Sequence, residues 1–222
     1  MHWSCIQRMG ITCLACSAFL HARFRKTGSM TDLEEAIIMH REPLSLRPTD
    51  SISLNNLATS LWDRFRKTGS MTDLEEAILM HHESLSLRPT PHPDRSQSLN
   101  NLAIALRAHF GKTGSMTDLE EAISMHRESL SLRPTPHPDR SQSLNNLAYA
   151  LWARLAKTGS MTDLGRSYLM LRESLSLHPA PHPGRSRALT ALAIALETRC
   201  KASGIQSAES TSLRQEALAT SS

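Results

Sequence analysis

Aromatic side chains are scarce in this chain: three Trp, two Tyr and four Phe make up 4% of 222 residues. Its core must therefore be built from Leu, Ala, Ile and Met. Cysteine is scarce too, and Cys5, Cys13, Cys16 and Cys200 follow no period. That excludes a disulfide framework and points to a reducing, cytoplasmic compartment. Cys13 and Cys16, with His2 and His21 nearby, make half of a structural zinc site, and the second ligand pair is missing. No metal and no cofactor are expected. Charge of either sign is not in excess, with 25 Lys and Arg against 21 Asp and Glu. Spread through the chain, they read as a solvated helical surface rather than a nucleic-acid footprint. No apolar run reaches the roughly 20 residues that span a bilayer, so no membrane partner is expected. The segment 11–20 is apolar and follows Arg8, which suits a weak signal peptide. Its alternative is a degraded repeat helix, because Leu20, Arg23, Phe24, Lys26 and Gly28 align with Leu61, Arg64, Phe65, Lys67 and Gly69, 41 residues later.

What is abundant is self-similarity. Gly69, Gly114, Gly159 and Gly204 recur every 45 residues. The text from Leu54 to Gln97 is nearly that from Leu99 to Gln142. A period of this length marks stacked supersecondary units, not one globular core.

One unit, Asp94 to Pro134, shows how a copy is built. Leu99, Leu102, Ala103, Leu106 and Phe110 lie on one face of a first helix. Asp94 and Gln97 have the spacing of an N-cap with its reciprocal partner, and Gly114 ends the helix. Thr117 and Glu120 have capping-box spacing for a second helix, which turns Leu119, Ala122, Ile123, His126 and Leu130 inward. Pro134, Pro136 and Pro138 stop that helix and predict a stiff, extended connector. Each unit is a helix hairpin that needs neighbours to bury its apolar face.

These residues resemble the tetratricopeptide repeat. Asn101-Leu102-Ala103 sits where that family has Asn-Leu-Gly, and Ala122 and Pro134 have the spacing of its second-helix small residue and terminal proline. The match recurs at Ala58, Ala77 and Pro89, and at Ala148, Ser167 and Pro179. From Ala103 to Ala122 the unit is longer than the ordinary motif. This predicts an extra turn in the first helix and a longer hairpin loop. Such units are similar to the kinesin-light-chain type and to fungal arrays joined to CHAT or NTPase domains. The resemblance implies an all-α, right-handed superhelical solenoid of antiparallel helix hairpins with about five repeats. The expected organisation is a degraded N-terminal repeat helix in 1–30, a tandem array in 31–201, and a partial helix with a frayed tail in 202–222.

Copies differ mainly along one stripe of the first helix. Thr59, Trp62, Asp63 and Arg66 are replaced by Ile104, Arg107, Ala108 and Gly111, then by Tyr149, Trp152, Ala153 and Ala156. At about 100° per residue this stripe lies roughly opposite Leu54, Leu57, Ala58, Leu61 and Phe65. In the resembled family this face lines a concave groove, where asparagines hold a bound peptide's backbone. By position, Asn55, Asn56, Asn100, Asn101, Asn145 and Asn146 are expected to hold backbone. Thr59, Trp62, Asp63, Ile104, Arg107, Tyr149 and Trp152 are expected to set specificity. Faster drift of exposed positions also produces such a stripe, and packing between repeats also accounts for the tryptophans. The expected function is a scaffold for a protein or peptide partner; the alternative is a spacer or truncated fragment of a larger regulator. No enzyme is expected, since a linear array separates its histidines. Oligomeric state is not legible.

Three further expectations concern departures from the repeat. Gly111-Lys112-Thr113-Gly114 lacks the earlier glycine and strand of a phosphate loop. His40, His81 and His126 are expected to be packed and hydrogen-bonded, and His92, His137 and His182 solvated. Pro43, and Gly165-Arg166-Ser167 in place of Glu-Glu-Ala, predict kinked or weakened helices toward both ends.

Overall fold

The computed structural model describes residues 13–177, 185–203 and 208–219. Among them are ten helices and no strand. In order they are α1 (Cys13–Thr27), α2 (Met30–Leu46), α3 (Ser51–Thr68), α4 (Met71–Ser86), α5 (Arg95–Thr113), α6 (Met116–Ser131), α7 (Arg140–Thr158), α8 (Met161–Ser176), α9 (Arg185–Ser203) and α10 (Ala208–Ala219). The chain divides into two compact units, Met1–His109 and Phe110–Ser222, with the boundary inside α5. Gly204 and His182 lie outside the described residues.

The first four hairpin turns are short, because glycine and serine divide the work. Gly28, Gly69, Gly114 and Gly159 have φ between 68° and 76°, a left-handed conformation that a Cβ disfavours. Gly69 N–H donates to the Phe65 carbonyl at 2.7 Å, closing the helix. The next residue is already the N-cap of the following helix. Ser70 accepts from the Asp73 N–H, and Ser29, Ser115 and Ser160 do the same for Asp32, Asp118 and Asp163. The capping box expected at Thr117 and Glu120 is therefore two residues out of place: Thr117 is inside α6. The loop is not lengthened either. Only Gly114 and Ser115 separate α5 from α6, so the extra length of the repeat lies in its helices.

Gln97 donates to Asn101 Oδ1 at 2.7 Å, along the helix. Helix α2 runs through Pro43 to Leu46. One other expectation changes. The proline connectors are folded, not extended: His92 N–H donates to the Pro89 carbonyl at 2.7 Å and Arg95 N–H to that of His92 at 3.1 Å. His92 Nδ1 accepts from the Asp94 N–H at 3.1 Å, and His137 does so from Asp139. Both rings are half-buried turn braces, which accounts for their place in every full-length connector described.

The core is aliphatic as composition requires. In the first unit Phe24, Leu33, Ile37, Leu57, Ala58, Leu61 and Ala77 form one buried cluster. In the second, Phe110, Leu119, Ile123, Leu147, Ala150 and Leu151 form another, and Ala148, Tyr168, Leu171 and Leu192 help form a third.

Candidate functional site

The first-helix face is held in place by contacts the periodicity did not reveal. Arg64 grips Asp73 with two hydrogen bonds, 2.8 Å from Nε and 2.6 Å from a terminal nitrogen. Arg154 grips Asp163 at 2.7 Å through both, and Arg23 pairs with Asp32 likewise. Each clasp joins the end of a first helix to the start of its second. The arginines hold the Asp32 and Asp163 carboxyls below the ordinary carboxylate range against the opposing effect of burial. The signal was available, an arginine nine residues before a constant aspartate, but position 64 reads as surface drift because His109 replaces it once.

Buried cations fix the other end. Arg88, 3% exposed, donates to the Ser51 and Ser98 hydroxyls and the Ser51 carbonyl, at 2.7–3.3 Å. Arg133 donates to the Ser143 hydroxyl at 2.9 Å; burial pushes its guanidinium down while Asp139 opposes this.

On the face itself, asparagines of successive repeats meet in the first unit. Asn101 Nδ2 donates to Asn55 Oδ1 at 3.2 Å, and Thr59 Oγ1 back-bonds to the Asn55 carbonyl at 2.8 Å. Asn56, Ile104 and Arg107 are half-buried, whereas Asn100 is buried at 1% exposure. In the second unit Asn145, Asn146 and Tyr149 are half-buried. Asn145 Oδ1 has no hydrogen-bond partner among the described residues.

Two groups of expected specificity residues do more packing than display. Trp62 lies against both the Phe24–Ala77 cluster and the cluster of Phe65, Leu74 and Ala105, with its ring 5.5 Å from that of Phe65. Trp152 and Tyr149 lean on the Leu171–Leu196 cluster. The tryptophans are thus half-buried wedges, consistent with packing along the longer first helix. Asp63 is not displayed at all. It is 6% exposed, and accepts from His21 Nε2 at 2.8 Å and Arg25 Nε at 3.3 Å. Burial alone would raise its pKa; those two partners lower it on balance. This residue ties α1 to α3; the next two copies, which lack His21 as a neighbour, have Ala108 and Ala153 in its place.

The histidine expectation divides. His40 and His81 are buried at 1% and 2% exposure, but neither ring nitrogen of His40 is hydrogen-bonded, nor is Nδ1 of His81. Burial, assisted by the charge of His21 on His40 and by His82 and Arg88 on His81, takes their pKa values down to about 4 and about 3. They are packed neutral rings. No cluster of three or more His, Cys, Asp or Glu suited to a metal occurs among the described residues, of which His2 and Cys5 are not part. No described helix is long and apolar enough to cross a membrane.

Comparison with known proteins agrees with this architecture. The family model described as tetratricopeptide repeat matches residues 52–94 and 95–139. A kinesin light chain-like protein of Podosopora anserina with nearly identical TPR-like repeats superposes with a TM-score of 0.67 at 18% identity, covering 96% of this chain and 97% of that one. MamA gives 0.62 at 16% identity, covering 90% and 92%. Pseudomonas aeruginosa pilF gives 0.62 at 16% identity, covering 93% and 76%. At these identities the likeness is one of fold. Among curated protein sequences none matches the chain.

Proposed function

We propose, from the premise that residues 52–94 and 95–139 are tetratricopeptide repeats, that this chain is a protein-interaction scaffold. Its first-helix faces hold an extended segment of a protein partner. The observation that carries this reading is the amide row Gln97–Asn101–Asn55 in the first unit. Side-chain amides have both donors and acceptors, so this row has the chemistry to pair with a peptide backbone regardless of its sequence. Asn56 in the same unit, and Asn145 and Asn146 in the second, supply the same chemistry. Thr59, Ile104, Arg107 and Tyr149, half-buried beside them, would set side-chain preference. Trp62 and Trp152 would contribute their exposed edges only, and Asp63 would act indirectly by holding α1. We assign the chain no catalytic step and a cytoplasmic place of action.

Affinity for a short segment is expected near the micromolar range, about −8 kcal/mol. Peptide display on the purified chain tests the reading. Selected peptides should lose affinity for Asn56→Ala and Asn146→Ala variants whose helicity is unchanged. Undiminished affinity in both variants would refute it. The near-identity of 54–97 and 99–142 supports a second reading, a spacer within a larger CHAT- or NTPase-linked regulator. Display that enriches no peptide supports that alternative.

A further inference from the structure

Second helices of consecutive repeats face each other across a cleft, and in the first unit an ion pair bridges it. Arg41 on α2 meets Glu76 on α4 at 2.6 Å. The register places Arg127 on α6 and residue 166 on α8 in the corresponding positions of the second unit. Residue 166 is arginine, where the sister repeats have Glu35, Glu76 and Glu121. The bridge has become two cations lining one cleft of about 550 Å³.

The chemistry of this cleft is specific. Leu130, Leu147, Leu151 and Met170 form its apolar lining. Arg140 also reaches it, but is neutralised by Glu173 at 2.7 Å. Among the described residues no carboxylate stands within ion-pair distance of Arg127 or Arg166. Asp163, whose carboxyl feels Arg166, is already gripped by Arg154. Two unneutralised guanidinium groups above an aliphatic floor repel one another unless an anion lies between them, and guanidinium forks match carboxylates bidentately. The volume falls within the 300–1,000 Å³ typical of ligand sites.

We propose that this cleft docks an acidic amphipathic segment of a protein partner. An aliphatic side chain sits on the half-buried Leu130 and Met170, above the buried Leu147 and Leu151, and the flanking carboxylates lie against Arg127 and Arg166. The site is separate from the asparagine face. At about 100° per residue, Leu147 and Leu151 point to the opposite side of α7 from Asn146 and Tyr149.

Fluorescence anisotropy of the full chain with labelled, end-blocked Glu-Leu-Leu-Glu and Lys-Leu-Leu-Lys peptides tests this. The acidic peptide should bind, more weakly as salt rises, and the basic one should not. Arg166→Glu, which restores the glutamate of the sister repeats, should weaken the acidic peptide by on the order of tenfold. Arg127→Glu with Arg166→Glu should reverse the preference. Asn146→Ala should leave binding unchanged. Equal binding of the two peptides, no binding of either, an unaltered affinity in Arg166→Glu, or a loss in Asn146→Ala would each overturn the proposal.

Discussion

His40 and His81 bring imidazoles into a helix interface where their nitrogens go partly unsatisfied. A buried polar group without a partner costs about 1–3 kcal/mol, and the fourth repeat avoids it with Leu171 at the same position, fully buried. The folded-state pKa values of about 4 and about 3 lie below the ordinary histidine value. The unfolded chain therefore binds protons first as pH falls. The stability contributed by neutral histidine is complete above about pH 6.5 and is lost on descent toward pH 4 and below. Asp32, Asp63 and Asp163, whose pKa values are lowered, add a separate loss below about pH 4. His40→Leu should raise stability by about 1–2 kcal/mol at neutral pH and flatten its decline between pH 6.5 and 4. Urea denaturation across that range measures both. The inward position of these rings was legible from spacing; their lack of hydrogen bonds was not, because satisfaction depends on which atoms of the facing helix arrive nearby.

Three of the described hairpins combine a two-residue turn with a clasp. The left-handed glycine and the serine cap set where the second helix begins, and the arginine nine residues before the capped aspartate locks the angle between helices. Arg154→Ala leaves Asp163, 2% exposed at its side chain, buried without its bidentate partner. We expect a loss of about 1–3 kcal/mol, read by thermal or urea unfolding, with little change in helicity at low temperature. Helix existence and the inward faces of Leu99 to Phe110 were readable from a 3.6-residue period. The cap was misplaced because Ser115-Met116-Thr117-Asp118 offers two hydroxyls two residues apart, and only the geometry of the preceding glycine decides between them. On the variable stripe, sequence placed Asn55, Asn101 and Tyr149 outside the core, where they are half-buried, but did not foresee the burial of Asp63. Its burial depends on His21 and Arg25, about 40 residues away in the chain, and no local pattern carries that information.

As a whole the chain is an array whose units depend on their neighbours. Departures from the repeat collect in α2, at Pro43, and in α8, at Gly165–Ser167. Hydrogen exchange should accordingly show stronger protection in α3–α7 than in α1, α9 and α10. The reverse order would mean that sequence decay does not set local stability. Within such an array two kinds of surface arise: a side-chain amide row on α3 and α5 in the first unit and a cationic cleft lined by α6, α7 and α8 in the second. The central claim is that the amide row holds a partner's backbone. Chemical-shift mapping of asparagine side-chain amides during titration with a display-selected peptide tests it most directly. The account predicts shifts at Asn56, Asn101 or Asn146 that saturate together with binding. Saturable binding that leaves every one of these amides unmoved would contradict it.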